Sequence, residues 1–86
     1  MTTTVTRMTT AQQVSADLTE VVVAAADDAG ISQRRLSEMT GIPLVTISRT
    51  FRGLRSMNVL DLAAIADALG TSITDLALRA ERKRAA

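Results

Sequence analysis

The sequence predicts an all-α fold of five short helices, and three observations support this prediction. Each of the four glycines follows a run of residues with helical spacing, and glycine commonly ends a helix because it tolerates a left-handed backbone conformation. A serine, threonine, asparagine or proline stands near the start of each run, as is typical of the first residues of helices. No segment alternates apolar and polar side chains with the period of two expected of a half-buried strand.

The first helix is predicted from apolar side chains that recur every three or four residues between Val14 and Ala29. The sequence TAQQ at 10–13 resembles a capping box at the start of this helix. Val22 and Val23 add apolar side chains on a further face. They indicate either a wide buried stripe or a surface for dimerisation.

Two further helices are predicted on either side of the stretch 40–42. The run QRRLSEMT is expected to be capped by Ser32 and to end at Gly41. The next run is expected to hold Pro43 in its first turn and to end near Arg52. A connection of about three residues forces the two helices to cross steeply, which is the geometry of a helix-turn-helix.

The fourth and fifth helices are predicted from their caps. Asn58 precedes the run VLDLAAIADAL and has Asp61 three residues further on. Ser72 and Asp75 have the same spacing at the start of the fifth helix, which is expected to run toward Arg82.

The chain is expected to divide into a flexible N-terminal arm (1–10), a helix-turn-helix domain (11–80) and a basic C-terminal tail (81–86). Its 86 residues, of which 47% are hydrophobic, suffice for one small domain with a packed core. Every apolar run is shorter than a membrane span requires, and no apolar segment after the first residues resembles a signal peptide. We therefore expect a cytoplasmic protein that does not contact a membrane.

Composition argues against catalysis and against a bound cofactor. Cysteine, histidine and tyrosine are absent, which excludes disulfides and thiolate metal sites and removes the commonest catalytic side chains. Neither a glycine-rich phosphate loop nor a cluster with metal-ligand spacing is present in the sequence. We expect neither enzymatic activity nor a cofactor.

Positive charge is concentrated in the middle of the chain, although the net charge is only +1. Residues 33–55 contain five arginines and one glutamate, whereas acidic residues are in excess in 1–32 and in 56–78. Such a cluster indicates a surface for a polyanion, and the alternative is that it solvates a helix face.

The third predicted helix has two different faces when its residues are projected at 100° each. Thr50, Ile47 and Phe51 are expected to point inward. Four residues are expected to point outward, and two to lie on the borders: Val45, Ser48, Arg49 and Arg52, and then Leu44 and Thr46. Arginine forks to guanine edges and an apolar side chain contacts the thymine methyl, so this face suits the major groove of DNA. A rotated helix would instead place Leu44 and Val45 in the core.

The stretches SQRRLSEMTGIPLVTISRTFRG and NVLDLAAIADALGTSITDL resemble the lambda-repressor-like DNA-binding domain of the Xre and Cro/cI type. The resemblance covers roughly residues 14–78. It implies a sequence-specific double-stranded DNA-binding transcriptional regulator that reads the major groove with the helix at 43–52. A small repressor of phage, Cro-like, excision-control or antitoxin type fits this description. The alternative is a protein-interaction module, an antitoxin or regulator adaptor, in which binding of a partner protein is primary.

The resemblance also assigns roles to single residues. The positions expected to read bases, with Gln33 also holding a phosphate, are Gln33, Leu44, Val45, Ser48 and Arg49. The positions expected to contact phosphates are Ser32, Arg34, Thr46, Arg52 and Arg55. Arg34 is included for its charge, and the alternative for it is a solvated side chain.

Three departures from the family pattern affect the expected base preference rather than the fold. Thr40 stands where an apolar residue is usual, and Pro43 replaces a capping serine or threonine. The pair Leu44–Val45 replaces polar readers.

The expected partners are double-stranded DNA and a second copy of the chain, with a further protein partner possible. A weak homodimer would be completed on a roughly palindromic site, because one such domain reads about half a site. The expected dimer surface is the fifth helix, where Ile73, Leu76, Ala77 and Ala80 form a stripe and Leu78 lies beside it. The alternative is that the stripe closes the core of its own domain.

Overall fold

The computed structural model describes residues 10–85. Every helix in that range is an α-helix, and none of these residues lies in a strand. They are α1 (Thr10–Asp28), α2 (Gln33–Thr40), α3 (Leu44–Phe51), α4 (Val59–Ala68) and α5 (Ile73–Ala85). The predicted all-α fold of five helices is confirmed. The predicted N-terminal arm, apart from Thr10, lies outside the described residues. No helix between residues 10 and 85 is both long enough and apolar enough to cross a membrane.

One side chain from each helix lies at the centre of the core. These five side chains are exposed by 2% or less: Val22, Leu36, Ile47, Ile65 and Leu76. They belong to a single apolar cluster. The longest helices, α1 and α5, pack against each other, and α2 packs against both α3 and α4. Because all five helices share one core, the position of α3 depends on the whole domain.

The buried face of α1 differs from the predicted one. Val22 is fully buried and Val23 partly buried, whereas Val14 and Ala29, at the ends of the predicted stripe, are exposed. Val22 therefore belongs to the core and not to a dimer surface. Val23 is half-buried outside the core cluster, and nothing in the structure decides between the two alternatives for it.

Local sequence signals determine both ends of α2. The Oγ of Ser32 accepts a hydrogen bond from the amide of Arg35 at 3.1 Å, as expected of an N-cap. Gly41 ends the helix with φ of 78°, and its amide donates to the carbonyl of Ser37. A side chain at this left-handed position would strain the backbone, so glycine is the residue suited to this turn.

Two hydroxyl groups hold the turn between α2 and α3. Ser37 donates to the carbonyl of Ile42 at 2.6 Å. Thr40 donates to the carbonyl of Leu36 at 2.8 Å and accepts from the amide of Ile42 at 3.2 Å. Ile42 is buried, and both of its backbone groups are nevertheless hydrogen-bonded. The polar Thr40, unusual at this position, thus stabilises the turn.

The helix α3 begins one residue later than predicted. Pro43 is its N-cap, with φ of −55° and ψ of 140°, and Leu44 is the first helical residue. The amides of Thr46 and Ile47 both donate to the carbonyl of Pro43, at 3.0 and 3.1 Å. Proline offers no side-chain oxygen, so this helix start has no side-chain cap.

The last two helices begin at the predicted caps. The Oδ1 of Asn58 accepts from the amide of Asp61 at 2.7 Å, and the Oγ of Ser72 accepts from the amide of Asp75 at 3.0 Å. The second helix of this pair, α5, continues beyond Arg82 to Ala85.

Residues 81–85, for which the sequence predicts a basic tail, form the last turns of α5. The Nζ of Lys83 lies 2.9 Å from the carboxylate of Glu20, and Arg84 lies 3.7 Å from the carboxylate of Asp17. The hydrogen bond to Glu20 and its negative charge raise the pKa of Lys83 above its ordinary value. Two basic side chains of the segment therefore pair with acidic residues of α1.

Candidate nucleic-acid interface

Three exposed side chains lie on one face of α3 and of its C-cap residue, Arg52. Val45 is 61% exposed, and Arg49 and Arg52 are exposed beside it. The opposite face holds Ile47 and Thr50, which are 1% and 2% exposed. This division follows from the projection of the sequence at 100° per residue.

The borders of α3 are half-buried. Leu44 lies at one border and Thr46 at the other, as predicted. Ser48, predicted to point outward, is instead half-buried beside Leu44. Phe51 is partly buried and packs against the core, as the inward projection predicts. The alternative orientation, with Val45 in the core, is excluded by its exposure.

Three consecutive residues at the start of α2 are predicted site residues. Ser32 and Arg34 are exposed, and Gln33 is half-buried as the first residue of the helix. The Oγ of Ser32 is used as an acceptor by the helix cap. Because a hydroxyl group donates as well as accepts, Ser32 keeps a proton for an external oxygen.

Arg55 differs from the other arginines of this region. Its Nη1 lies 3.5 Å from the carboxylate of Asp61 and donates to the Oγ1 of Thr50 at 3.3 Å. Thr50 is on α3 and Asp61 on α4, so the guanidinium group links the end of one helix to the start of the next. In the sequence, Asp61 is marked only by its place in the cap of α4, and its spacing from Arg55 across a loop gives no signal for the ion pair.

Basic side chains without an ion pair are concentrated on the helix-turn-helix. Within residues 10–85, five basic side chains lie within 4 Å of a carboxylate: Arg35, Arg55, Arg79, Lys83 and Arg84. Those without such a partner in the same range are Arg34, Arg49, Arg52 and Arg82. Three of these four belong to α2 or α3 or adjoin α3. The positive charge that is open to an external anion therefore lies on and beside α3.

Two short helices joined by a glycine turn, the second with a basic outward face, define the helix-turn-helix class of DNA-binding proteins. Residues 24–76, more than half of the chain, match the model of the helix-turn-helix family HTH_3, the Xre and lambda-repressor-like group. The chain belongs to this family, whose members are DNA-binding regulators. No curated protein and no solved structure gives a significant match.

Proposed function

We propose that the protein is a sequence-specific transcriptional regulator of the small-repressor type that binds double-stranded DNA with α3 in the major groove. The observation that carries the proposal is the outward face of α3, which combines one apolar side chain, Val45, with the guanidinium groups of Arg49 and Arg52. A helix face that only contacts solvent normally carries polar side chains, so a valine that is 61% exposed is not expected there. A face that reads base edges uses both kinds of side chain.

Val45 and Arg49 are the main proposed base readers. They are four residues apart and therefore lie one above the other on the exposed face. The guanidinium group of Arg49 would donate two hydrogen bonds to the O6 and N7 of a guanine, and Val45 would contact a thymine methyl group. Leu44 and Ser48 lie beside this pair and would contact neighbouring bases. Gln33 would reach the bases from the start of α2.

The proposed phosphate contacts surround the base readers. Arg34 and Arg52 would neutralise phosphates, and the hydroxyl groups of Ser32 and Thr46 would donate to phosphate oxygens. Arg55 is the weakest of these candidates because it would have to exchange its contact with Asp61 for a phosphate.

The test is selection of bound fragments from a random duplex pool, followed by titration of the enriched site. We expect a guanine and a nearby thymine in each enriched half-site. Replacing that thymine by uracil removes only the methyl group and should weaken the wild type but not the Val45→Ala variant. Two neutralised phosphates per copy would give a slope of log affinity against log salt of about −2 for one copy on a half-site and about −4 for two copies on the full site. A pool without enrichment at low salt, or a flat salt dependence, would contradict the proposal.

The proposed complex contains two copies of the protein on a roughly palindromic site. A single domain of this kind reads about half a site, and two recognition helices on one face of DNA lie ~34 Å apart. Each copy alone would form a small interface, so contact between copies would add to the affinity at physiological salt.

A second candidate function is a protein-interaction module in which binding of another protein is primary. The exposed apolar side chains of Leu54, Val59 and Leu60 favour this function, because they follow α3 in the sequence and are not part of its outward face. The two functions differ in what Arg49→Ala changes. Loss of DNA binding together with loss of regulation supports the first function, and regulation that survives loss of DNA binding supports the second.

A further inference from the structure

The helix α4 is apolar on nearly every side. Of the ten residues between Val59 and Ala68, only Asp61 and Asp67 have polar side chains. Leu62, Ile65 and Ala66 are buried in the core. A helix at the surface of a globular protein normally carries polar residues on its outer face, and α4 lacks most of them.

The outer side of α4 forms an apolar surface, which we call the α4 face: Val59, Leu60, Ala63 and Ala64. These residues share one arc of about 140° on the helix. Leu60 is 78% and Val59 74% exposed, which makes them the most exposed large apolar side chains between residues 10 and 85. Single exposed apolar residues are common, but a contiguous group marks an interaction surface.

A shallow groove of about 400 Å³ adjoins the α4 face. Leu60, Asp61 and Ala64 line one side of the groove, and the turn between α2 and α3, from Thr40 to Pro43, lines the other together with Thr46. Each copy of the protein thus has both an exposed leucine and a groove beside it.

We infer that the α4 face is covered by the α4 face of a second copy, with Leu60 of each copy in the groove of the other. A two-fold contact brings the same surface of both copies together, so the surface must be complementary to itself. The α4 face meets this requirement because its own four side chains carry no charge. Asp61 next to it is neutralised by Arg55 at 3.5 Å. The exposed Asp67 projects within the same arc of the helix. It lies two turns, about 10 Å, beyond Leu60 and would therefore lie at the solvated rim of a contact centred on Leu60.

The size of the α4 face indicates how strong this contact is. Two largely exposed large side chains and two alanines give a patch of roughly 300–400 Å², the size of a notable patch on a monomer. A stable interface buries about 800 Å² on each partner. The contact is therefore expected to be weak in free solution and to form when adjacent half-sites hold two copies together at a high effective concentration. In this respect the inference rests on the proposed function.

This surface differs from the one predicted on α5. Leu76 and Ala80 are buried, and Ile73 and Ala77 are half-buried, so that stripe closes the core of its own domain. Leu78 is 44% exposed, well below Leu60. It provides a matched control on α5 for every variant of the α4 face.

Cross-linking through a single cysteine tests the surface directly, because the chain has no cysteine of its own. We would prepare Ala64→Cys and the control Leu78→Cys and treat each with a short bifunctional maleimide, with and without DNA. Ala64→Cys is expected to form covalent dimers at least tenfold faster than Leu78→Cys at high micromolar protein, and faster still on palindromic DNA. Equal rates, or a faster reaction of Leu78→Cys, would overturn the inference.

Sedimentation of Leu60→Glu, with Leu78→Glu as control, separates this inference from the proposed function. Leu60→Glu should remain monomeric, bind an isolated half-site like the wild type, and lose cooperative binding to the palindrome. Leu78→Glu should behave like the wild type, and thermal unfolding would establish that both variants fold. If no variant binds DNA, the proposed function fails, while cross-linking without DNA still tests the surface. A wild type that stays monomeric both alone and on the palindrome would overturn the inference and assign the face to a different protein.

Discussion

At the scale of single residues, the arginines around α3 are of two kinds. Arg49 and Arg52 have no carboxylate within 4 Å among residues 10–85, whereas Arg55 contacts both Asp61 and Thr50. A guanidinium group without an ion pair can bind a DNA phosphate without first breaking an ion pair within the protein. A paired one must exchange one anion for another, which reduces the net gain. Substitution should therefore affect the two kinds differently.

Arg49→Ala and Arg52→Ala are expected to weaken DNA binding in different ways. Loss of Arg49 should reduce affinity for the selected site by about 1–3 kcal/mol, with much less effect on other sequences, if it forks to a guanine. Loss of Arg52 should weaken all sequences about equally and make the salt slope shallower by about one unit. Titrations of the selected site and of a scrambled duplex at several salt concentrations measure both effects. Identical behaviour of the two variants on both duplexes would refute this division of roles.

Arg55→Ala is expected to lower stability rather than change base preference. Its ion pair is partly exposed, so the free energy of unfolding should fall by only about 0.5–1 kcal/mol. Denaturant titration gives the value, and Arg52→Ala is the control because its side chain has no ion pair in the described chain. Should Arg55→Ala leave stability unchanged and make the salt slope shallower, Arg55 would be a phosphate contact after all.

At the scale of helices, the boundaries that follow from neighbouring residues were predictable. The cap of α2 needs only a hydroxyl group three residues before an amide, and its end needs a glycine after the last turn. The two faces of α3 follow from its period alone. The role of Thr40 was not predictable, because a threonine near a helix end does not reveal which backbone groups lie beside it.

Thr40→Val tests the hydrogen bonds of the turn. Valine has nearly the shape of threonine but no hydroxyl group, so the amide of the buried Ile42 would lose its acceptor. A buried donor without a partner costs about 1–3 kcal/mol in the free energy of unfolding. Thr40→Ser keeps the hydroxyl group and should lose much less. Equilibrium unfolding in urea compares the two, and a valine variant at least as stable as the serine variant would contradict the assigned role.

At the scale of the whole molecule, the least predictable features join residues far apart in the sequence. The stripe predicted on α1 is confirmed at its centre, where Leu18, Val21 and Ala25 pack in the core. It is wrong at its two ends, where Val14 and Ala29 have the right spacing but are exposed. The segment 81–85 has the composition of a solvated tail, yet it pairs with α1 from the other end of the chain. Composition gives the charge of a segment, but only the fold decides which carboxylates lie opposite it.

The pairing of α5 with α1 predicts that Lys83 and Arg84, near the basic end of the chain, contribute to stability and not to DNA affinity. The side chain of Asp17 is 9% exposed, and the side-chain amide of Gln13 donates to its carboxylate at 3.5 Å. Removing Arg84 would leave this buried charge without its cation, although the ions are 3.7 Å apart and the Arg84 side chain is 34% exposed. We therefore expect Arg84→Ala to cost about 1–2 kcal/mol, below the range for a fully buried pair.

Lys83→Ala is the matched control, because its ion pair with Glu20 is exposed and should contribute less to stability. Urea unfolding of both variants measures the difference, and Asp17→Asn combined with Arg84→Ala should recover part of the loss by removing the buried charge. Neither variant should change the salt slope of DNA binding when measured well below its unfolding transition, since both cations face α1. A shallower slope with unchanged stability in Arg84→Ala would instead place this arginine on DNA and make the end of α5 part of the binding surface.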